Sequence, residues 1–305
     1  MNPVLSVVIP AHNPREDHMR LVLDALRQQS LPVARWELVV VDNQSAPPLQ
    51  GRLDLGWHPH AVIVREERVG LTHARVAGFA RARGDLTVLV DDDNALAPDY
   101  LEQVLRISAE FPFVAVWGGA INPQYEEPNL APPASLRSLL TLREVNADLW
   151  SNDPDHHAST PWGAGLCMRR EVFERYAEEL VANPRRYDLD LKGAVLLYGG
   201  DTDIAYTACR MGHAKGVFRA LTLTHLIPSG RCTEEHLCRV SYGRGYSEML
   251  HHLSLFGRLP PLDAGFGQWA RIQYRHLKLP ALERAVDRAH LQGRGDAFRE
   301  LSKTG

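Results

Sequence analysis

The chain is predicted to be an α/β protein: a mainly parallel sheet with helices on both faces, followed by helices at the C-terminal end. Three observations predict it. Short runs rich in Val, Ile and Leu alternate with segments whose apolar residues recur at helical spacing. The runs Val39-Val40-Val41 and Val88-Leu89-Val90 are apolar without alternation, as in strands buried on both faces. Beyond Glu234 the β-rich runs cease, leaving helical stretches broken at Pro260-Pro261 and at Pro280. With 305 residues, 45% of them hydrophobic, there is ample material for a core.

Each element has a local reason. Leu5-Ser6-Val7-Val8-Ile9-Pro10 is a strand ended by its proline. Asp17 to Gln29 carries Met19, Val22, Leu23 and Leu26 at helical spacing. Trp36 to Val41 is a second strand ending on Asp42, and Ala61 to Val64 a third. Leu71 to Arg83 is a helix whose inner stripe, Ala74, Ala77 and Gly78, is small enough to lie close on a sheet. Gly84-Asp85 then turns the chain into Leu86–Val90, which stops on Asp91-Asp92-Asp93. Pro98 to Glu110 is a helix with proline early, where a missing N–H costs little. Gly118 to Pro133 reads as loop, and residues 150–165, with Trp150, His156, His157, Trp162, Gly163 and Gly165, read as binding loops. Arg169–Ala177 and Thr202–Met211 are expected helices, followed by a β-rich run at Lys215–Leu223.

Composition narrows the function. A net charge of −3 gives no reason to expect a nucleic-acid partner. The four cysteines form no C-x-x-C pair and match no zinc spacing, so buried thiols in a reducing compartment are expected. The first residues show neither the charged region nor the apolar region of a signal peptide. No apolar run has the length of a membrane span, so a cytoplasmic protein is expected. The arginines towards the C-terminus, such as Arg239, Arg244, Arg258, Arg271, Arg275, Arg284 and Arg288, read as solvated helix faces; contact with anionic lipid at the inner membrane face is the lesser expectation.

Three strand ends carry polar groups: Pro10-Ala11-His12-Asn13, Asp42-Asn43-Gln44-Ser45 and Asp91-Asp92-Asp93. In a parallel sheet such ends share one edge, where ligands bind. Three adjacent carboxylates repel one another unless a cation sits among them, and oxygen-rich sites suit Mg²⁺ or Mn²⁺ shared with substrate phosphates. On its own the acidic run is equally a solvated, helix-capping turn. Asp42 could accept hydrogen bonds from a nucleobase; taken singly, an Asx-turn role suits it better. No G-x-G-x-x-G follows the first strand and no G-x-x-x-x-G-K-[ST] occurs, which excludes the usual dinucleotide and P-loop arrangements.

The order of these motifs resembles that of family 2 glycosyltransferases. The similar segments are Ser6-Val7-Val8-Ile9-Pro10-Ala11-His12-Asn13, Val40-Val41-Asp42-Asn43-Gln44-Ser45, Gly70-Leu71-Thr72-His73-Ala74-Arg75-Val76-Ala77-Gly78 and the strand ending in Asp91-Asp92-Asp93. Further on, Pro161-Trp162-Gly163-Ala164-Gly165-Leu166, Gly199-Gly200-Asp201-Thr202-Asp203 and Thr224-His225-Leu226-Ile227-Pro228-Ser229-Gly230-Arg231 are similar to later family segments. Gly200 departs from the pattern, standing where Glu is usual. The resemblance implies the GT-A fold, a Rossmann-like nucleotide-diphospho-sugar transferase fold. On it, 1–118 would be the donor-binding half, 119–232 the acceptor-binding and catalytic half, and 233–305 a helical extension. It implies transfer of a sugar from a nucleotide diphospho-sugar to a glycan or lipid-linked acceptor, mostly with inversion.

Roles follow as expectations from that resemblance. Asp201 is the expected base; the plain alternative is a cap for its helix. Asp93 is the expected ligand of Mn²⁺ or Mg²⁺, being the last acid of a D-x-D pattern, with His225 as second ligand. Pro10, Ala11, His12, Asn13, Asp42, Asn43, Arg65, Gly70, Leu71, Arg75, Asp91, Asp92 and Arg231 are expected around the donor. Guanidinium groups match phosphate oxygens, which singles out Arg75 and Arg231. Trp162, Gly163, Ala164 and Asp203 are expected on the acceptor side, Trp162 by stacking on a sugar or else by packing, Asp203 as a contact or a structural group. The adjacent His156 and His157 lack a third ligand and read as loop residues. The rivals are a nucleotidyltransferase, which would show a Gly-rich loop where Pro10-Ala11-His12-Asn13-Pro14 stands, and a binding protein of this fold without turnover, favoured by Gly200 alone. A phosphatase would carry its acids after the first strand.

Overall fold

The computed structural model describes residues 3–189, 198–262 and 266–303. The chain divides into two compact units. The first comprises residues 1–124, 141–187 and 200–227, and the second 125–140, 188–199 and 228–305.

The first unit is built on a mixed sheet. Its strands are β1 (Leu5–Ala11), β2 (Trp36–Asn43), β3 (Ala61–Glu66), β4 (Leu86–Leu89), β5 (Asn94–Leu96), β6 (Val114–Tyr125), β7 (Leu149–Ser151), β8 (Cys167–Arg169) and β9 (Ala214–Ile227). The order across the sheet is β3-β2-β1-β4-β8-β6-β9-β5, with β7 also on β9. β3, β2, β1 and β4 run parallel, the expected buried arrangement, and every residue of β1 and β2 is buried. β8 is antiparallel to both β4 and β6, and β5 and β7 are antiparallel to β9.

Helices α1 (Glu16–Arg27), α2 (Leu71–Arg81), α3 (Tyr100–Glu110), α4 (Arg170–Ala182) and α5 (Gly200–Arg210) cover the sheet. One core joins Val8, Val39, Val41 and Leu89 of the strands to Ala74 and Phe79 of α2, Phe173 and Tyr176 of α4, and Ile204 and Ala208 of α5. The small stripe of α2 works as anticipated: a Cβ on Gly78 would collide with Val8. α1 packs on β5 and α3 on β9.

The stretch from Gly118 onward corrects the sequence reading. It is not loop at first: β6 continues through Gly118 and Gly119 to Tyr125. Glycine here is a packing residue, since any side chain on Gly119 would overlap the Leu221 carbonyl of the neighbouring strand. The short strands β5, β7 and β8 also lie in stretches too brief for a periodicity to be recognised.

The second unit contains α6 (Glu234–Phe256), α7 (Phe266–Lys278) and α8 (Ala281–Leu301). Thr233 caps α6 by accepting the His236 amide, and Gly257 ends it in a left-handed turn. α6 and α8 pack along each other, with Ser241 Oγ donating to Val286 O and Tyr242 to Asp296. Among the described residues, no helix is long and apolar enough to cross a membrane.

Candidate functional site

The ends of β1, β2 and β3 are tied into one polar edge. Pro10 and Ala11 are still in β1, paired with Val41 and Asp42 of β2. His12 Nδ1 lies 2.6 Å from Asn43 O, and the Asn13 amide donates to Ser45 Oγ at 2.9 Å. Asn13 Oδ1 in return accepts the Ala46 amide, with Asn13 itself at a left-handed φ of 49°. Asn43 reaches the third strand: its Nδ2 donates to Glu66 O and Arg68 O, and its Oδ1 accepts the Gly70 amide. Gly70 thereby anchors the start of α2, whose first residue is Leu71.

Asp42 is the buried centre of this edge. Its Oδ1 accepts the Ser45 amide at 2.8 Å, and its Oδ2 accepts the Leu49 amide at 2.9 Å and Arg65 Nη1 at 2.8 Å. Burial pushes this carboxyl up, but the Leu49 and Ser45 amides and the Arg65 guanidinium outweigh it and hold it below its ordinary value. These three bonds brace the 45–49 turn and Arg65, the turn role anticipated for it beside base recognition. Arg65 also bonds Ser45 O and Glu67.

The acidic triplet leaves the end of β4. Asp91 and Asp92 are half-buried and Asp93 is buried. Asn94 pairs with His225 across β5 and β9, which brings His225 Nε2 to 3.4 Å from Asp93 Oδ2. Asp93 Oδ1 accepts the Asn94 amide side chain at 2.6 Å, which leaves Asn94 Oδ1 buried with no hydrogen-bond donor. Among the described residues no group of three His, Cys, Asp or Glu side chains forms a complete metal cage. The Asp93 carboxylate is nonetheless an oxygen donor of the kind that Mn²⁺ and Mg²⁺ take together with phosphate oxygens and water, and the His225 imidazole lies beside it at 3.4 Å.

Asp201 opens α5. Its Oδ1 accepts the Thr202 amide and its Oδ2 the Gly163 amide, each at 2.8 Å. The buried Arg75 of α2 completes the group: its Nη2 is 2.9 Å from where a side chain on Gly163 would begin, and Asp201 Oδ2 is 3.7 Å from the same point. This cluster shares an edge with the acidic triplet. Leu89 donates to Leu166 O at 2.8 Å, and β4 and β8 are antiparallel, so the chain leaving β4 toward Asp91 and the chain entering β8 from Gly163 emerge together.

Other expected residues have different surroundings. Asp203, expected on the acceptor side, is buried with both oxygens on Arg186, at 2.8 and 2.9 Å, so its role is structural. Trp162 is half-buried with the Arg143 guanidinium 5.2 Å above its ring, and Ala164 is buried. Arg231 lies on a short turn, Ser229–Cys232, in the second unit. Arg143 and Lys215 bond to residues 156–160, which lead into Gly163, and Arg186 bonds to Asp203; nothing in the local pattern distinguishes these three from surface cations.

Residues 6–177, more than half of the chain, match the model of glycosyl transferase family 2. The chain belongs to glycosyl transferase family 2. It is 28% identical over 114 residues to the putative glycosyltransferase EpsH of Bacillus subtilis, covering 35% of this chain and 31% of that one. It is 28% identical over 109 residues to an uncharacterized glycosyltransferase of Haemophilus influenzae, covering 36% of each. The family 2 chain thus spans about a third of the length of these relatives. Its fold is similar to the crystal structure of S. aureus TarS 1-349, with a TM-score of 0.50 at 15% identity, covering 99% of this chain and 92% of that one. The fold of this family 2 member is GT-A.

Proposed function

We propose that this family 2 protein transfers a sugar from a nucleotide diphospho-sugar to an acceptor hydroxyl, with inversion and with the aid of a divalent cation. One observation carries the reading: the Asp201 carboxylate and the Arg75 guanidinium meet at Gly163, on the sheet edge from which the acidic triplet emerges. A carboxylate and a fixed cation at one sheet edge are what a displacement at a sugar carbon requires.

In this mechanism the acceptor oxygen attacks the anomeric carbon while its proton passes to Asp201. The bond from that carbon to the diphosphate oxygen breaks, and the nucleoside diphosphate departs with the electron pair. Gly163 and Thr202 each donate one hydrogen bond to Asp201, one per oxygen, which fixes the carboxylate and leaves lone pairs for the proton. Arg75 is suited to the charge that develops on the diphosphate. Asp93 and His225 would hold the cation, which when bound supplies charge neutralisation for the leaving group. His12, Asn13 and Asn43 shape the donor side: His12 lies on Asn43 O, Asn13 accepts the Ala46 amide and Asn43 the Gly70 amide. The acceptor class consistent with the family is a growing polysaccharide or a lipid-linked glycan, handled on the cytoplasmic side.

The test is a thermal-shift screen of UDP, GDP and dTDP with Mn²⁺, followed by assay of nucleoside diphosphate release from the matching nucleotide sugars. Stabilisation by a nucleotide together with such release supports the proposal. Formation of pyrophosphate from a nucleoside triphosphate and a sugar phosphate would instead show a nucleotidyltransferase, and binding without release a protein that has lost turnover.

A further inference from the structure

Lys215 is completely buried at the start of β9, yet the proposed chemistry gives it no task. Its ammonium donates to His156 O at 2.9 Å and to Thr160 Oγ1 at 2.8 Å, with Ser159 Oγ at 3.5 Å. All three acceptors are neutral groups within one five-residue stretch. An ammonium has three donors, so the whole hydrogen-bonding capacity of this group is spent on residues 156–160. Burial pushes its pKa below the ordinary value, opposed in part by the nearby Asp153 and Asp155 carboxylates, and none of these hydrogen bonds goes to a carboxylate.

A second cation grips the same stretch. Arg143, itself fixed to β6 by paired backbone bonds with Ile121, donates to the carbonyls of Ala158 and Thr160 and lies over the Trp162 ring. The stretch runs directly into Pro161-Trp162-Gly163, and the Gly163 amide is the donor that orients Asp201. The sheet therefore reaches the candidate base through a short chain of bonds: Lys215 and Arg143 to residues 156–160, these by covalent connection to Gly163, and Gly163 to Asp201.

We propose that Lys215 is a positioning residue: by fastening residues 156–160 to β9 it sets where the Gly163 amide stands, and hence the direction in which the Asp201 carboxylate points. The geometric half of this stands on the hydrogen bonds alone; its consequence for turnover rests on the proposed role of Asp201.

The experiment compares wild type, Lys215→Met, Thr160→Val and Asp201→Asn. Hydrogen exchange at the Gly163 amide, read by NMR, is the measurement that does not depend on activity. It should quicken about tenfold or more in Lys215→Met, while amides of β1 and β2 keep their protection. Release of nucleoside diphosphate from the best nucleotide sugar should fall about 10²-fold in kcat, as for a misplaced catalytic group, with UDP–Mn²⁺ or GDP–Mn²⁺ affinity within about twofold of wild type. Thr160→Val, which removes one acceptor and keeps the ammonium, should show both effects in weaker form and serves if Lys215→Met does not fold. Unchanged Gly163 exchange in a folded variant overturns the proposal. Unchanged kcat in both variants, with Asp201→Asn inactive, overturns it too. Full turnover of Asp201→Asn removes the base assignment, and Gly163 exchange then still decides whether Lys215 holds the segment.

Discussion

The Gly163 amide donates to Asp201 Oδ2 at 2.8 Å across 38 residues of sequence. A helix-opening aspartate ordinarily bonds only amides of its own first turn. Here one oxygen does so, through Thr202, while the other is held by the loop entering β8. Two elements that meet only in the folded chain therefore set the orientation of one carboxylate, beside the Arg75 guanidinium.

Asp201→Asn should retain that hydrogen bond to Gly163 but lose the ability to take a proton. Turnover is expected to fall by roughly 10²–10⁴, with nucleotide binding close to wild type. Steady-state kinetics beside calorimetry with UDP or GDP check this, and wild-type turnover would exclude Asp201 as the base.

Asp93→Ala should abolish the part of nucleotide affinity that depends on Mn²⁺, because it removes the carboxylate next to His225. His225→Ala should weaken the same part less, since the carboxylate carries the charge. Titrations with and without Mn²⁺ make the comparison; identical curves for wild type and Asp93→Ala would count against a cation at this position.

Asp42 should make stability depend on pH at the acid end. Its carboxyl is held below its ordinary value of 3.8, so the ionised form contributes stability in full above that value and the contribution is lost as pH falls through the lower folded value. Asp42→Asn should cost about 1–3 kcal/mol at neutral pH, by weakening three bonds to a buried acceptor, and should flatten the acid limb of the stability curve. Urea unfolding at a series of pH values measures both; parallel acid limbs would contradict the assignment.

Arg186→Leu should destabilise the protein by roughly 3–5 kcal/mol, because it leaves the Asp203 carboxylate buried without its bidentate partner. Replacing both with leucine should recover much of the loss. If Asp203 instead contacted acceptor, Asp203→Asn would raise the acceptor KM while leaving chemical denaturation unchanged, the reverse of what the ion pair implies.

The readable part of the chain was that in which local pattern and final environment agree. β1, β2 and β4 are rich in Val, Leu and Ile without alternation because they are buried on both faces, and the small face of α2 anticipates its contact with Val8. β6 was unreadable because its glycines carry the signal of a turn while serving a close approach to Leu221. Asp203 reads in sequence as an acid near a site and Lys215 only as the start of a β-rich run, yet both are buried. Their burial depends on Arg186, 17 residues from Asp203, and on Thr160, 55 residues from Lys215.

Strand positions, the helices between them and the convergence of three polar strand ends are written in the order of residues, because side-chain periodicity and the parallel connection rule act over short stretches. Which carboxylates are committed to ion pairs and turns and which is aimed by a distant amide is settled by packing. Asp42, Asp201 and Asp203 are alike in composition, and they differ in the donors that the closed sheet brings to each one.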